Sequence, residues 1–92
     1  MADHTNNPPV QRLRDGPLEA SVWKNEGKDG PYYTVTLYRS YLEGKDWKNT
    51  SSLRQRDLLP LAELARRAHE CIRAFQAEDK AALFAAGRNG GR

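Results

Sequence analysis

The sequence predicts an α+β domain, a three-stranded antiparallel meander packed by one long C-terminal helix, with a fourth strand added if residues 10–14 pair as well. Three observations predict it. Apolar and polar residues alternate with period two over residues 17–25 and again over residues 32–42, as half-buried strands require. Glycines at positions 27, 30 and 44 mark turns between these runs and a third at residues 47–53. From residue 58 to residue 75 the apolar positions instead recur every three or four residues, the spacing of a helix. At 92 residues the chain has the length of a single domain, placed at residues 11–86.

Residues 1–10 carry Asn, Thr and the Pro8-Pro9 pair and little to bury, so they read as a disordered arm. In the first strand Leu18, Ala20 and Val22 alternate with Glu19, Ser21 and Trp23. Residues 25–31 contain Gly27 and the string Asp29-Gly30-Pro31, a loop in which the ladder is expected to break. The next run, YYTVTLYRSYL, is rich in aromatic and β-branched residues and carries the strongest strand signal in the chain. A second turn at residues 42–46 leads to a weaker strand at residues 47–53. Opposing Val22 with Val35, and Val35 with Leu53, keeps the apolar faces together. One face then holds Leu18, Ala20, Val22, Tyr33, Val35, Leu37, Tyr41, Trp47 and Leu53 as the core. The other holds Glu19, Ser21, Trp23, Tyr32, Thr34, Thr36, Tyr38, Ser40, Lys48 and Thr50.

The helix has Asp57 as its expected N-cap and Pro60 in its first turn, where the missing donor is harmless. Its apolar stripe is Leu58, Leu61, Ala65, Ala68, Ile72 and Phe75, with Leu64 and Cys71 beside it. Asp79 interrupts this stripe, so either the helix breaks near Glu78 or a second short helix covers residues 80–86. Gly87 is expected to end it, leaving residues 87–92 as a flexible basic tail.

Fifteen Lys and Arg against twelve Asp and Glu give a formal charge of +3, a mild excess whose effect depends on its distribution. No apolar run is long enough for a membrane span or a secretory leader, so a cytoplasmic location is expected. The single cysteine, Cys71, allows neither an internal disulfide nor a thiolate zinc site. Catalysis is not expected. His4 lies in the arm, His69 and Cys71 are two residues apart on a helix and point in different directions, and Glu43, Asp46 and Asp57 serve turns and a cap. No phosphate-cradling glycine loop or metal-ligand spacing is present, and no cofactor is implied.

The feature with functional content is the second face of the sheet. There Trp23, Tyr32 and Tyr38 stand among Thr and Ser, with Lys24, Lys48 and Arg54 at the borders and Arg39 near the sheet end. Rings on which bases stack, flanked by cations that meet phosphates, are what single-stranded DNA or RNA requires. Arg39 falls on the helix side in this register, where an acid such as Glu63 or Glu70 could hold it. The competing reading is a protein-interaction module, an adaptor or inhibitor of a mobile-element system, in which the same aromatics anchor a partner. The small core also points to a homodimer.

Arg14-Asp15-Gly16, then Ala20, Trp23 and Asn25, the string GPYYTVTLYRSY, Asp57-Leu58-Leu59 and Leu64-Ala65 together resemble a group of small uncharacterised bacterial proteins, over residues 14–72. The resemblance implies a bacterial or mobile-element setting. At fold level, a curved antiparallel sheet followed by a long helix is similar to the PUR-repeat and Whirly single-strand binders. Those families show four strands before the helix and lay nucleic acid across the sheet as dimers.

Overall fold

The computed structural model describes residues 7–90; residues 1–6 of the expected arm, with His4, and the last two residues of the expected tail lie outside the described residues. Four strands, β1 (Gln11–Asp15), β2 (Leu18–Gly27), β3 (Gly30–Glu43) and β4 (Asp46–Thr50), form one antiparallel sheet in sequence order. A short 3₁₀ turn at Gln55–Asp57 leads into the helix α1 (Leu58–Gly90), which packs mainly on β1 and β2. The class is α+β with the fourth strand present. Each strand is joined to the next by two residues: Gly16-Pro17, Lys28-Asp29 and Gly44-Lys45. Gly16 (φ 59) and Gly44 (φ 64) open their turns in the left-handed region, as the favoured two-residue hairpin turns demand.

Several expectations are corrected. The loop expected at residues 25–31 is only the Lys28-Asp29 turn, because the β2–β3 ladder continues through Glu26 opposite Pro31 and Gly27 opposite Gly30. Val22 does lie opposite Val35. The β3–β4 register, however, differs from expectation by one residue: Leu42 faces Trp47 and Tyr41 faces Lys48. The turn decides this, since Gly44-Lys45 fixes Glu43 opposite Asp46, and a one-residue shift exchanges the two faces of a strand. Trp47 therefore leaves the core side and is 71% exposed, while Lys48 and Thr50 move to the helix side. Leu53 lies beyond β4 and reaches the core from the connecting segment.

The helix does not break near Glu78, nor does Gly87 end it. Asp79, which interrupts the apolar stripe, is received by the sheet: Lys24 Nζ donates to its Oδ1 at 3.0 Å, and the Tyr33 hydroxyl donates to its other oxygen. With its carboxylate partnered, a good helix-forming sequence has no reason to stop there. Asp57 does not cap forward. Its carboxylate reaches back to the Arg54 backbone N–H at 2.9 Å and stays buried.

The core is small. Leu13, Leu18, Ala20, Val22, Leu64 and Ala68 are buried, with Tyr33, Val35, Leu37, Leu53, Leu61, Cys71 and Ile72 packed around them. The buried stripe of α1 is thus rotated from the expected one: Leu64 is at its centre, and Leu58 and Ala65 are exposed. Phe75 extends it by stacking on Tyr33 with ring centroids 5.7 Å apart. A 33-residue helix is about 50 Å long.

Candidate nucleic-acid interface

Alternate residues of the four strands project away from α1. They are Arg12 and Arg14 from β1; Glu19, Ser21, Trp23 and Asn25 from β2; Tyr32, Thr34, Thr36, Tyr38, Ser40 and Leu42 from β3; and Trp47 and Asn49 from β4. No element of the described chain packs over this face. All three aromatics expected there are present, and the register adds Trp47.

At the centre lies Glu19, 3% exposed although it sits on the uncovered side. Its neighbours cover it. The Arg14 guanidinium and the Ser21 hydroxyl donate to its carboxylate, the Tyr38 hydroxyl donates at 2.6 Å, and Arg12 Nε lies 3.9 Å away. Burial pushes the Glu19 carboxyl up, but the hydrogen bonds from Tyr38, Arg14 and Ser21 outweigh it and hold the group below its ordinary range. The Tyr38 hydroxyl is pushed up by burial and by the adjacent carboxylate, so it remains a donor. Glu19 thereby fixes the Tyr38 ring and steers both arginines onto the open face. Their side chains stay 65% and 63% exposed, so the guanidinium groups have further donors directed to solvent.

The face has two ends. Toward the β2–β3 turn, Trp23 Nε1 donates to Thr36 Oγ1 at 3.0 Å and Asn25 Nδ2 donates to Thr34 Oγ1 at 3.1 Å, which fixes both side chains across the strands. Tyr32, 44% exposed, and Asn25 line a concavity at the sheet edge together with Pro8, Pro9 and Val10 and with Lys24 and Glu26 of the helix side. Toward the opposite end, Trp47 and Arg14 line a second concavity with Gly16, Pro17 and Ser40. An exposed indole and a guanidinium there border the same space.

None of the four expected phosphate contacts belongs to this face. Lys24 is on the helix side, held by Asp79 and lying 6.0 Å from the Tyr33 ring centroid. Arg39 is also on the helix side, 16% exposed, with its Nε 3.5 Å from Asp57 and Nη2 donating to the Ser52 carbonyl at 3.2 Å; its acid is Asp57 rather than Glu63 or Glu70. Lys48 projects on the helix side as well and pairs with Glu43 at 3.2 Å. Arg54 lies beyond β4 and pairs with Asp57 at 3.4 Å. The cations of the open face are Arg12 and Arg14, on the strand whose sequence signal is weakest. Their alternation about Leu13, followed by the Gly16-Pro17 turn, is the signal that marks them.

Among the described residues no cluster of His, Cys, Asp and Glu is arranged to hold a metal ion, and no helix is long and apolar enough to cross a membrane. Cys71 is a free, half-buried thiol on the packed side of α1. Comparison with protein-family models, curated proteins and solved structures yields no match.

Proposed function

We propose that this protein binds single-stranded DNA or RNA, without catalysis and without marked sequence preference, across the face of its sheet opposite α1. The observation that carries the reading is the shared face of Trp23, Tyr32, Tyr38 and Trp47, on which the four strands present only three charged side chains, Arg12 and Arg14 from β1 and the covered Glu19. Bases stack on the rings, each contributing about 1–3 kcal/mol, and the arginines meet phosphates. Hydroxyl and amide groups between the rings hydrogen-bond to sugars and base edges. Four strands before one helix is also the order in the PUR-repeat and Whirly binders, which supports the reading at fold level. A cytoplasmic setting and a two-copy assembly belong to the same proposal.

Titration of fluorescein-labelled single-stranded DNA and RNA, followed by anisotropy with duplex DNA as the control, tests it. The expected result is micromolar or tighter binding to single strands that weakens with salt. Two phosphate contacts predict a slope of log affinity on log salt of about −1.4. Absence of binding at low salt overturns the proposal.

One observation favours the second reading, a protein-interaction module. Leu42 and Trp47 are cross-strand neighbours, 54% and 71% exposed, and such a pair suits an apolar anchor on another protein. In that case oligonucleotides neither bind nor compete with the partner.

A further inference from the structure

The sheet is stepped. β2 pairs with β3 along residues 30–39, but β4 covers the outer edge of β3 only from Arg39 to Glu43. Among the described residues no backbone hydrogen bond crosses that outer edge at residues 32–38. This stretch reads YYTVTLY, with no charge, proline or bulge to guard it, although exposed strand edges are ordinarily blunted in such ways.

The direction of its backbone groups follows from one contact. Ser40 N donates to the Pro17 carbonyl at 2.8 Å, on the β2 side. In an antiparallel ladder the N–H and C=O of a residue point the same way and alternate along the strand. The even residues of β3 therefore face β2, and Tyr33, Val35 and Leu37 direct their N–H and C=O outward.

We propose that this edge pairs antiparallel with the same edge of a second copy, about a two-fold axis at Val35. The sequence is nearly palindromic about that residue. Val35 meets Val35 of the second copy, and Tyr33 meets Leu37, on the helix side. On the open side Thr34 meets Thr36 and Tyr32 meets Tyr38, both favourable cross-strand pairs. The three outward residues of each copy form three hydrogen-bonded pairs of two bonds each. Such a self-complementary patch is the signature of a two-fold interface.

The register is bounded on both sides. Sliding by two residues toward the hairpin sets Pro31, which has no N–H, against Leu37. In the symmetric register pairing stops at Tyr32 and Tyr38, because Pro31 would next fall opposite Arg39, whose edge Thr50 of β4 already holds. The β2–β3 hairpin has to turn out of the sheet there. Sliding by two the other way drives Tyr33 into that occupied place as well. A slide of one opposes the open face of one copy to the helix face of the other. The symmetric pairing joins the two sheets through residues 32–38 only, with both helices on one side and both open faces on the other. The inference goes beyond nucleic-acid binding and does not depend on it.

Sedimentation and amide hydrogen exchange of the full chain over a range of concentrations test the pairing. The expected result is twice the 10.4 kDa chain mass, with the Tyr33, Val35 and Leu37 amides slowed as the dimer forms. Register is tested in a Cys71→Ser background by oxidising chains carrying Thr34→Cys or Thr36→Cys. Residues 34 and 36 would be a non-hydrogen-bonded pair with Cα atoms about 4.5 Å apart, within disulfide reach, whereas 34 to 34 and 36 to 36 are diagonals of about 7–8 Å. A mixture of the two chains cross-links, and each chain alone does not. A monomer at every concentration overturns the proposal, as does a dimer whose three amides exchange at the monomer rate. Equal cross-linking of the single variants and the mixture overturns the register.

Discussion

On the helix side of the sheet, Lys24 and Arg39 reach carboxylates carried by another element: Asp79 within α1 and Asp57 at its entry. On the open side, Arg12 and Arg14 reach a carboxylate of the adjacent strand, Glu19. The first arrangement ties the helix to the sheet at two points 22 residues apart, counted from Asp57 to Asp79, and leaves Arg39 only 16% exposed. The second stays within the sheet and leaves both guanidinium groups more than half exposed. The same residue types serve architecture on one face and remain available to a ligand on the other. What separates them is the strand parity at which each cation falls.

The comparison breaks most decisively with Leu64→Ala. Leu64 is fully buried where α1 meets β2, and the substitution is expected to lower stability by about 2–5 kcal/mol in thermal or denaturant unfolding. Oligonucleotide affinity of the chains that remain folded should not change. Trp47→Ala is expected to do the reverse: a loss of about 1–3 kcal/mol in single-strand binding, with an unchanged melting curve because the ring is 71% exposed. A parallel fall in melting temperature would place Trp47 in the architecture instead.

Acid should weaken both faces, because Glu19 on the open side is held below its ordinary range as Asp79 and Asp57 are on the helix side. Hydrogen bonds from Tyr33 and Lys24 hold the Asp79 carboxyl below its ordinary 3.8, and the Arg54 backbone N–H does the same for Asp57. A group whose folded pKa is depressed adds stability above its unfolded value and loses it as pH falls through the folded one. Stability should therefore be level above about pH 5 and fall below pH 4. Asp79→Asn should flatten part of that fall, measured by urea unfolding at each pH. The smallest effects sharpen the assignment of cations. Lys48→Ala should change stability by less than about 0.5 kcal/mol and leave affinity alone. Arg12→Ala should reduce the salt slope of single-strand binding by about 0.7.

Much of this architecture is legible in the sequence because it rests on local pattern. The period-two runs locate β2 and β3 and their mutual register, since Val22 and Val35 are both needed in the core. β1 is harder to read. Its one inward apolar residue is Leu13, and the arginines on either side look like a solvated segment until the strand beside them is known. Trp47 misleads because a large apolar residue suggests burial, whereas the Gly44-Lys45 turn sets its face. Asp79 misleads because its partners, Lys24 and Tyr33, are 55 and 46 positions away, a distance over which periodicity carries no information. Three of the four rings of the candidate interface, Trp23, Tyr32 and Tyr38, are readable from strand alternation; its basic half depends on which carboxylate each cation meets.

The order of the strands in space is their order in the chain, with two residues at every corner. Contact order in the sheet is accordingly low, and hairpins of this kind close in microseconds. During synthesis each strand can pair as soon as it follows its neighbour into solution, before the helix exists. The distant link from Asp79 to Lys24 and Tyr33 is then a late event, and substitutions there should accelerate unfolding while leaving the folding rate nearly untouched.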